Sequence, residues 1–173
     1  MKKSIAVDMD GVLADVYQQF ILKHFNECGE TLKLEQLEGL SEAVAFPYLL
    51  KHVHSPGFFK TAPLVPGSLE VLLELNQKYD IYIVSAATEF PLSLGEKQDW
   101  LHEHFPFIHW MQMVFCGSKK IIHTDIMIDD HFKNLDPFEG KTILFTQPHN
   151  KNAASGRHQR VNNWEEIKNI LLP

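Results

Sequence analysis

Cysteine is scarce, with two among 173 residues, Cys28 and Cys116, in no metal-like spacing. That argues against a disulfide framework and for a reduced, cytoplasmic chain, a Cys28–Cys116 bridge being the minor reading. Long apolar runs are missing too. Nothing approaches the roughly 18 residues of a membrane span. The short apolar run after Ser4 breaks at Asp8, too early for the core of a signal peptide. No internal repeat or low-complexity tract occurs. Positive charge is in deficit: 16 Lys+Arg against 22 Asp+Glu leave a net charge of −6. Such a balance is poor for polymeric nucleic acid, whose affinity comes from Lys and Arg on phosphates. The ten histidines are scattered. His102 and His104 sit two apart on an expected helix, face different ways, and are read as surface residues.

What is present is the apolar content of a globular chain, 45%, enough for one domain or a core with a small insert. Strands are expected at Ser4–Val7, Asp80–Val84, Met113–Cys116, Asp125–Ile128 and Thr142–Phe145. Helices are expected at Ala14 to about Cys28, Pro66–Lys78, Gly95–His104 and Asn163–Leu172. Mostly apolar strands alternating with helices give an α/β fold, a parallel sheet covered on both faces. Between Glu30 and Pro56 only short helical patterns occur, around Leu34–Leu37 and Ser41–Val53, and Ser55-Pro56-Gly57 with Pro63 and Pro66 punctuates their end. This stretch interrupts the alternation and reads as an inserted cap. The basic stretch 151–160 reads as a solvated loop.

The polar residues fall at strand ends. Asp8 and Asp10 follow the first strand, Ser85 the second, Lys119 the third, and Asp129-Asp130 the fourth. Carboxyl ends of parallel strands share one sheet edge, where ligands bind, so four separated positions converge. Taken singly, each has a bland reading as a turn, a cap or a surface lysine; their order and common placement carry the functional one. Two unit charges about 4 Å apart repel by about 4 kcal/mol at an effective dielectric of about 20, so crowded carboxylates need compensation. A hard dication supplies it, and an all-oxygen shell favours Mg²⁺. Lys and Ser suit phosphate oxygens. Carboxylates, metal and lysine together point to phosphoryl transfer, with one aspartate able to attack phosphorus and a second to move the proton.

In this order the motifs resemble those of the haloacid-dehalogenase-like (HAD) phosphatase superfamily, with Asp8-Met9-Asp10-Gly11-Val12, Ser85, Lys119 and Asp129-Asp130 as its four motifs. The likeness narrows to the 5'(3')-deoxyribonucleotidases through Asp8 to Asp15, Pro56-Gly57-Phe58-Phe59, Pro66-Gly67, Gly95-Glu96-Lys97, Trp100, Ile143 to Thr146, His149-Asn150 and Asn163-Trp164. The resemblance implies a three-layer Rossmann-like HAD core over 1–15 and 60–173 and a small helical cap over 16–59, inserted after the first strand. It implies Asp8 as nucleophile and metal ligand, Asp10 as general acid/base with its carbonyl on the metal, and Asp130 as the remaining ligand. Asp129 and Asp15 would support them, and Ser85, Lys119 and Lys97 would hold phosphate. Mg²⁺ is the implied cofactor and a deoxyribonucleoside monophosphate the implied small-molecule partner. Another phosphate ester is the alternative substrate, and a non-enzymatic phosphoacceptor or binding protein the alternative class. A receiver domain carries its paired acids after the first strand, not after the fourth. Better-known relatives carry an aromatic residue after the Asp15 position, where Val16 stands here, followed by Tyr17; base preference is therefore open. Phe46, Tyr48, Phe58 and Phe59 are candidates to stack on a base, with core packing preferred for Phe58-Phe59. Apolar cap faces could pack on the core or on a second copy, so a homodimer is a candidate assembly.

Overall fold

Six short strands pair in parallel throughout a computed structural model that describes residues 2–172. They are β1 Ser4–Val7, β2 Asp80–Ser85, β3 Met113–Phe115, β4 Ile126–Asp129, β5 Lys141–Phe145 and β6 Gln159–Val161. The sheet order is β3-β2-β1-β4-β5-β6. The central strands are buried on both faces, as near-continuous apolar runs require. Alternation divides their side chains between two apolar clusters. Ile5, Val7, Ile83, Ile128 and Ile143 enter the larger; Ala6, Val84, Met127 and Leu144 enter the smaller.

The helices are α1 Val16–Cys28, α2 Glu42–Ala45, α3 Leu49–Val53, α4 Ser68–Lys78, α5 Pro91–His104, α6 Phe132–Leu135 and α7 Trp164–Leu171. Helix α1 starts two residues later than its apolar spacing suggests, because Asp15 caps it: the carboxylate accepts from the Gln18 amide at 2.9 Å. Helix α5 starts four residues earlier than expected, with Pro91 in its first turn, where the missing N–H goes unused. The expected loop at 151–160 is corrected at its end, since Gln159–Val161 forms β6 beside β5. Three residues with one buried side chain leave no alternation to read. The basic residues there are structural: Arg157 donates to the Leu135 carbonyl at 2.8 Å, and Arg160 to Asn150 Oδ1 at 2.9 Å.

Between β1 and β2 the chain forms α1, a 3₁₀ turn at Leu34–Leu37, α2 and α3, with no strand. Phe20, Phe46, Val53 and Phe58 from this stretch join the larger core cluster. Its return is gripped from α5, where the Glu96 carboxylate accepts the amides of Gly57 at 2.5 Å and Phe59 at 3.0 Å. Buried Gln19 donates to the Phe58 carbonyl at 2.8 Å. Two separate stretches of the family likeness, 56–59 and 95–97, thus meet in space. Both thiols are free, and among the described residues no helix is long and apolar enough to cross a membrane.

Candidate active site

From β1 the chain steps to β2 on one side, while β4 lies on the other. The crevice of an open parallel sheet opens at such a switch point. The Asp8 amide donates to the Ile128 carbonyl at 2.9 Å, so Asp8 sits beside the end of β4, where Asp129 and Asp130 follow. Carboxylate oxygens of Asp8, Asp129 and Asp130 lie within 4.8 Å of one another, all three side chains buried.

Lys119 stands between two of them, its Nζ 2.6 Å from Asp8 Oδ1 and 2.7 Å from Asp129 Oδ2. Burial, then the Asp129 charge, push the Asp8 carboxyl up to about 7, against the pull of Lys119. Burial opposes ionisation of Asp129 too. There the Lys119 charge, with hydrogen bonds from Lys119, Asn134 and the His131 amide, outweighs it and holds the group below its ordinary value. Burial, then the charges of Asp8 and Asp129, lift Asp130 well above its ordinary value. Its carbonyl is pinned by Asn150 Nδ2 at 2.8 Å and His149 Nε2 at 3.0 Å, while its Oδ1 is buried with no hydrogen-bond partner. A side chain at Gly11, at φ 77°, would collide with the Asp130 carboxylate. Glycine there lets the loop after β1 close against β4.

The second lysine serves Asp10. Lys97, buried on α5, pairs with Asp10 Oδ2 and donates to Ser85 Oγ at 2.9 Å. It also lies over the Phe59 ring at 4.5 Å. Asp10 Oδ1 is buried without a partner. The structure therefore brings together Asp8, Asp10, Ser85, Lys97, Lys119, Asp129 and Asp130. Asp15 stays outside as the cap of α1.

The donor set fits a hard dication. It is all oxygen, burial and neighbouring acids raise two of its carboxyls in spite of Lys119, and Asp130 Oδ1 has no other partner.

A cleft of about 620 Å³ runs from Asp10 along the inserted segment, lined by Val16, Glu42, Leu50, Phe59, Phe90 and His149 among others. Of the four aromatic candidates, Phe58 and Phe59 line it and are also core residues. Phe46 is buried against Phe20, ring centroids 4.9 Å apart, and Tyr48 sets its ring against His52 instead. Of the scattered histidines, His102 is exposed as expected and His104 half-buried, but others turn inward. His24, His52 and His158 are buried. His131 and His149 stack beside the site with centroids 4.3 Å apart and planes 16° apart, and the Tyr17 hydroxyl meets His149 Nδ1 at 3.1 Å. Burial, then the neighbouring His149, push His131 down to about 4, so it stays neutral near pH 7. Sequence reading missed Phe90, Glu42 and His131, and named His149 only within the family likeness; position directly after Asp129-Asp130 was the one signal for His131.

The sequence matches, over residues 2–173, the family described as 5' nucleotidase, deoxy (pyrimidine), cytosolic type C protein. A 5'(3')-deoxyribonucleotidase of Bacillus subtilis is 41% identical over 175 residues, covering 99% of this chain and 100% of the relative, and one from Bacillus phage SPbeta is equally similar. Among solved structures, a HAD hydrolase of Bacillus subtilis bound to magnesium aligns with a TM-score of 0.63 at 16% identity, covering 98% of each chain. A HAD family hydrolase of Deinococcus radiodurans, with bound phosphate and sodium, aligns at 0.62 and 15% identity, covering 98% of this chain and 95% of that one.

Proposed function

Because the chain belongs to the 5'(3')-deoxyribonucleotidase family of HAD hydrolases, we propose that this phosphoric monoester hydrolase removes phosphate from deoxyribonucleoside monophosphates through an aspartyl-phosphate on Asp8. One observation carries this reading: a charged floor of Asp8, Asp129, Asp130 and Lys119 adjoins, through Asp10, Phe90 and His131, a largely apolar cleft large enough for a nucleoside.

Asp8, Asp130 and the Asp10 carbonyl would hold Mg²⁺, which when bound neutralises the carboxylates and polarises the phosphoryl group. Asp8 attacks phosphorus. The bond to the ester oxygen breaks as a bond to the Asp8 carboxylate forms, and Asp10 gives its proton to the leaving sugar oxygen. In the second step Asp10 takes a proton from water, the water oxygen attacks phosphorus, and the Asp8 carboxylate leaves with inorganic phosphate released. Ser85, Lys97 and Lys119 bind the phosphoryl oxygens. In the ligand-free geometry both lysines are engaged by carboxylates. Arriving phosphate competes for Lys97, and its departure frees the Asp10 carboxyl to carry the proton. Asp129 keeps Lys119 oriented as a positioning residue. Two free thiols support a reducing, cytoplasmic setting.

The test is a panel of 5' and 3' monophosphates, deoxy and ribo, beside sugar phosphates. The reading expects the highest kcat/KM among the deoxyribonucleotides; a sugar phosphate turned over best would overturn the assigned substrate class.

A further inference from the structure

Cys28 has no cysteine partner at a metal-like spacing, yet the fold brings a histidine and a carboxylate to its sulfur. Helix α1 places His24 and Cys28 one turn apart on the same face. Cys28 Sγ lies 3.2 Å from His24 Nε2. Gly29 then ends the helix at φ 75°, a left-handed conformation suited to glycine. That turn carries Glu30 back over the last turn of the helix, and its carboxylate reaches 3.6 Å from the same His24 Nε2. Ligand atoms of all three lie within 4.8 Å of one another.

These separations can be compared with a metal's demands. Zinc bonds of about 2.3 Å to sulfur, about 2.0 Å to nitrogen and about 2.1 Å to oxygen, at tetrahedral angles, put nitrogen about 3.5 Å from sulfur and about 3.4 Å from oxygen. The observed 3.2 Å and 3.6 Å lie within a few tenths of an ångström of these. The other histidine group lacks such convergence. Glu42, His131 and His149 also lie close, but the rings of the pair are nearly parallel, so their in-plane lone pairs run alongside one another rather than toward a common point.

We propose that His24, Cys28 and Glu30 form a binding site for a borderline-soft dication of the zinc class, separate from the magnesium-type site. Thiolate and imidazole select such ions over Mg²⁺, whereas the oxygen floor at Asp8 prefers the hard cation. His24 is buried and pre-positioned, while Cys28 and Glu30 are exposed, leaving entry for the ion and a fourth position for water. Binding releases the thiol proton, so affinity rises with pH. The bound ion ties the end of α1 to the turn after it. Helix α1 spans roughly 20 Å at 1.5 Å per residue, which puts the clamp at the far end from Asp15 and the catalytic loop.

The test is a Co²⁺ titration of the full chain under excess Mg²⁺ with a phosphine reductant. The wild-type protein is expected to develop sulfur-to-cobalt charge-transfer absorption that saturates at one equivalent. Cys28→Ser is expected to lose the band, Cys116→Ser to keep it, and Glu30→Ala to weaken binding at least tenfold. Both Cys28 and Glu30 are exposed, so their variants should fold, which far-ultraviolet circular dichroism checks. Zn²⁺ is expected to raise the melting temperature of the wild type and not of Cys28→Ser. No sulfur-to-cobalt band in the wild type, or a band that survives Cys28→Ser, overturns the site; unchanged affinity in Glu30→Ala overturns the three-ligand centre.

Discussion

At the floor of the cleft, the acids or their backbone are held from several sides. Asp129 receives Lys119, Asn134 and the His131 amide, Asp8 receives Lys119 and the Met9 amide, and the Asp130 carbonyl is pinned twice. Along the wall, Glu42, Leu49 and Leu50 ride on helices of four and five residues, and Leu50 is 65% exposed. Helices that short do not hold themselves together; they depend on packing of Phe46, Val53 and Phe58 beneath them. The floor is positioned by hydrogen-bonded strands, the wall by side-chain contacts. Chemistry that tolerates little displacement sits on the first, and recognition that can adapt sits on the second.

The largest effect should come from the floor. Asp8→Asn is expected to lower kcat at least roughly 10³-fold with the fold intact; near-normal turnover would remove the nucleophile and erase the contrast. Lys119→Met leaves Asp8 and Asp129 facing each other buried and unpaired. It is expected to destabilise the metal-free protein by about 3–5 kcal/mol in denaturant unfolding, and an unchanged midpoint would show that the floor is not tightly held.

Metal removal sharpens the comparison through pH. An acid whose folded pKa exceeds its unfolded value stabilises the fold below the unfolded pKa and loses that contribution as pH rises through the folded one. Asp8 goes from 3.8 to about 7, and Asp130 shifts the same way. The contribution of these two carboxyls to the metal-free melting temperature is therefore expected to fall as pH rises from about 4 through about 7, opposed by the gain from His131, held at about 4 in the fold, and saturating Mg²⁺ to flatten the carboxyl part. Identical slopes with and without Mg²⁺ would mean that the cation does not sit on these carboxylates. The smallest effect belongs to the wall. Leu50→Ala is expected to raise KM for nucleotides about tenfold or less with kcat within about twofold; a kcat loss like that of Asp8→Asn would place the wall in the chemistry.

Much of the floor was legible from the chain because strand ends and acids coincide in sequence. Asp8, Ser85, Lys119 and Asp129-Asp130 each end or follow an apolar run, and parallel pairing does the rest. The Lys97 pairing with Asp10 was not legible. It depends on how α5 packs, so that a buried lysine reaches an acid 87 residues away. Strand β6 escaped because one inward residue makes no pattern, and Phe46 stayed an open stacking candidate because the spacing of apolar residues on short helices does not say which side faces the cleft.

The amino-acid sequence by itself determined the parallel α/β core, the order of the acids and lysines along it, and the family to which the chain belongs. Those follow from local periodicity and from residue types at strand ends, which survive without knowledge of distant contacts. Tertiary structure alone decided which lysine serves which acid, which aromatics line the cleft, that His131 and His149 stack beside Asp130, and that Glu30 meets His24 and Cys28. The first three depend on packing between segments far apart in the chain, where spacing in sequence says nothing about distance in space; the last depends on the left-handed turn at Gly29, which apolar periodicity does not show.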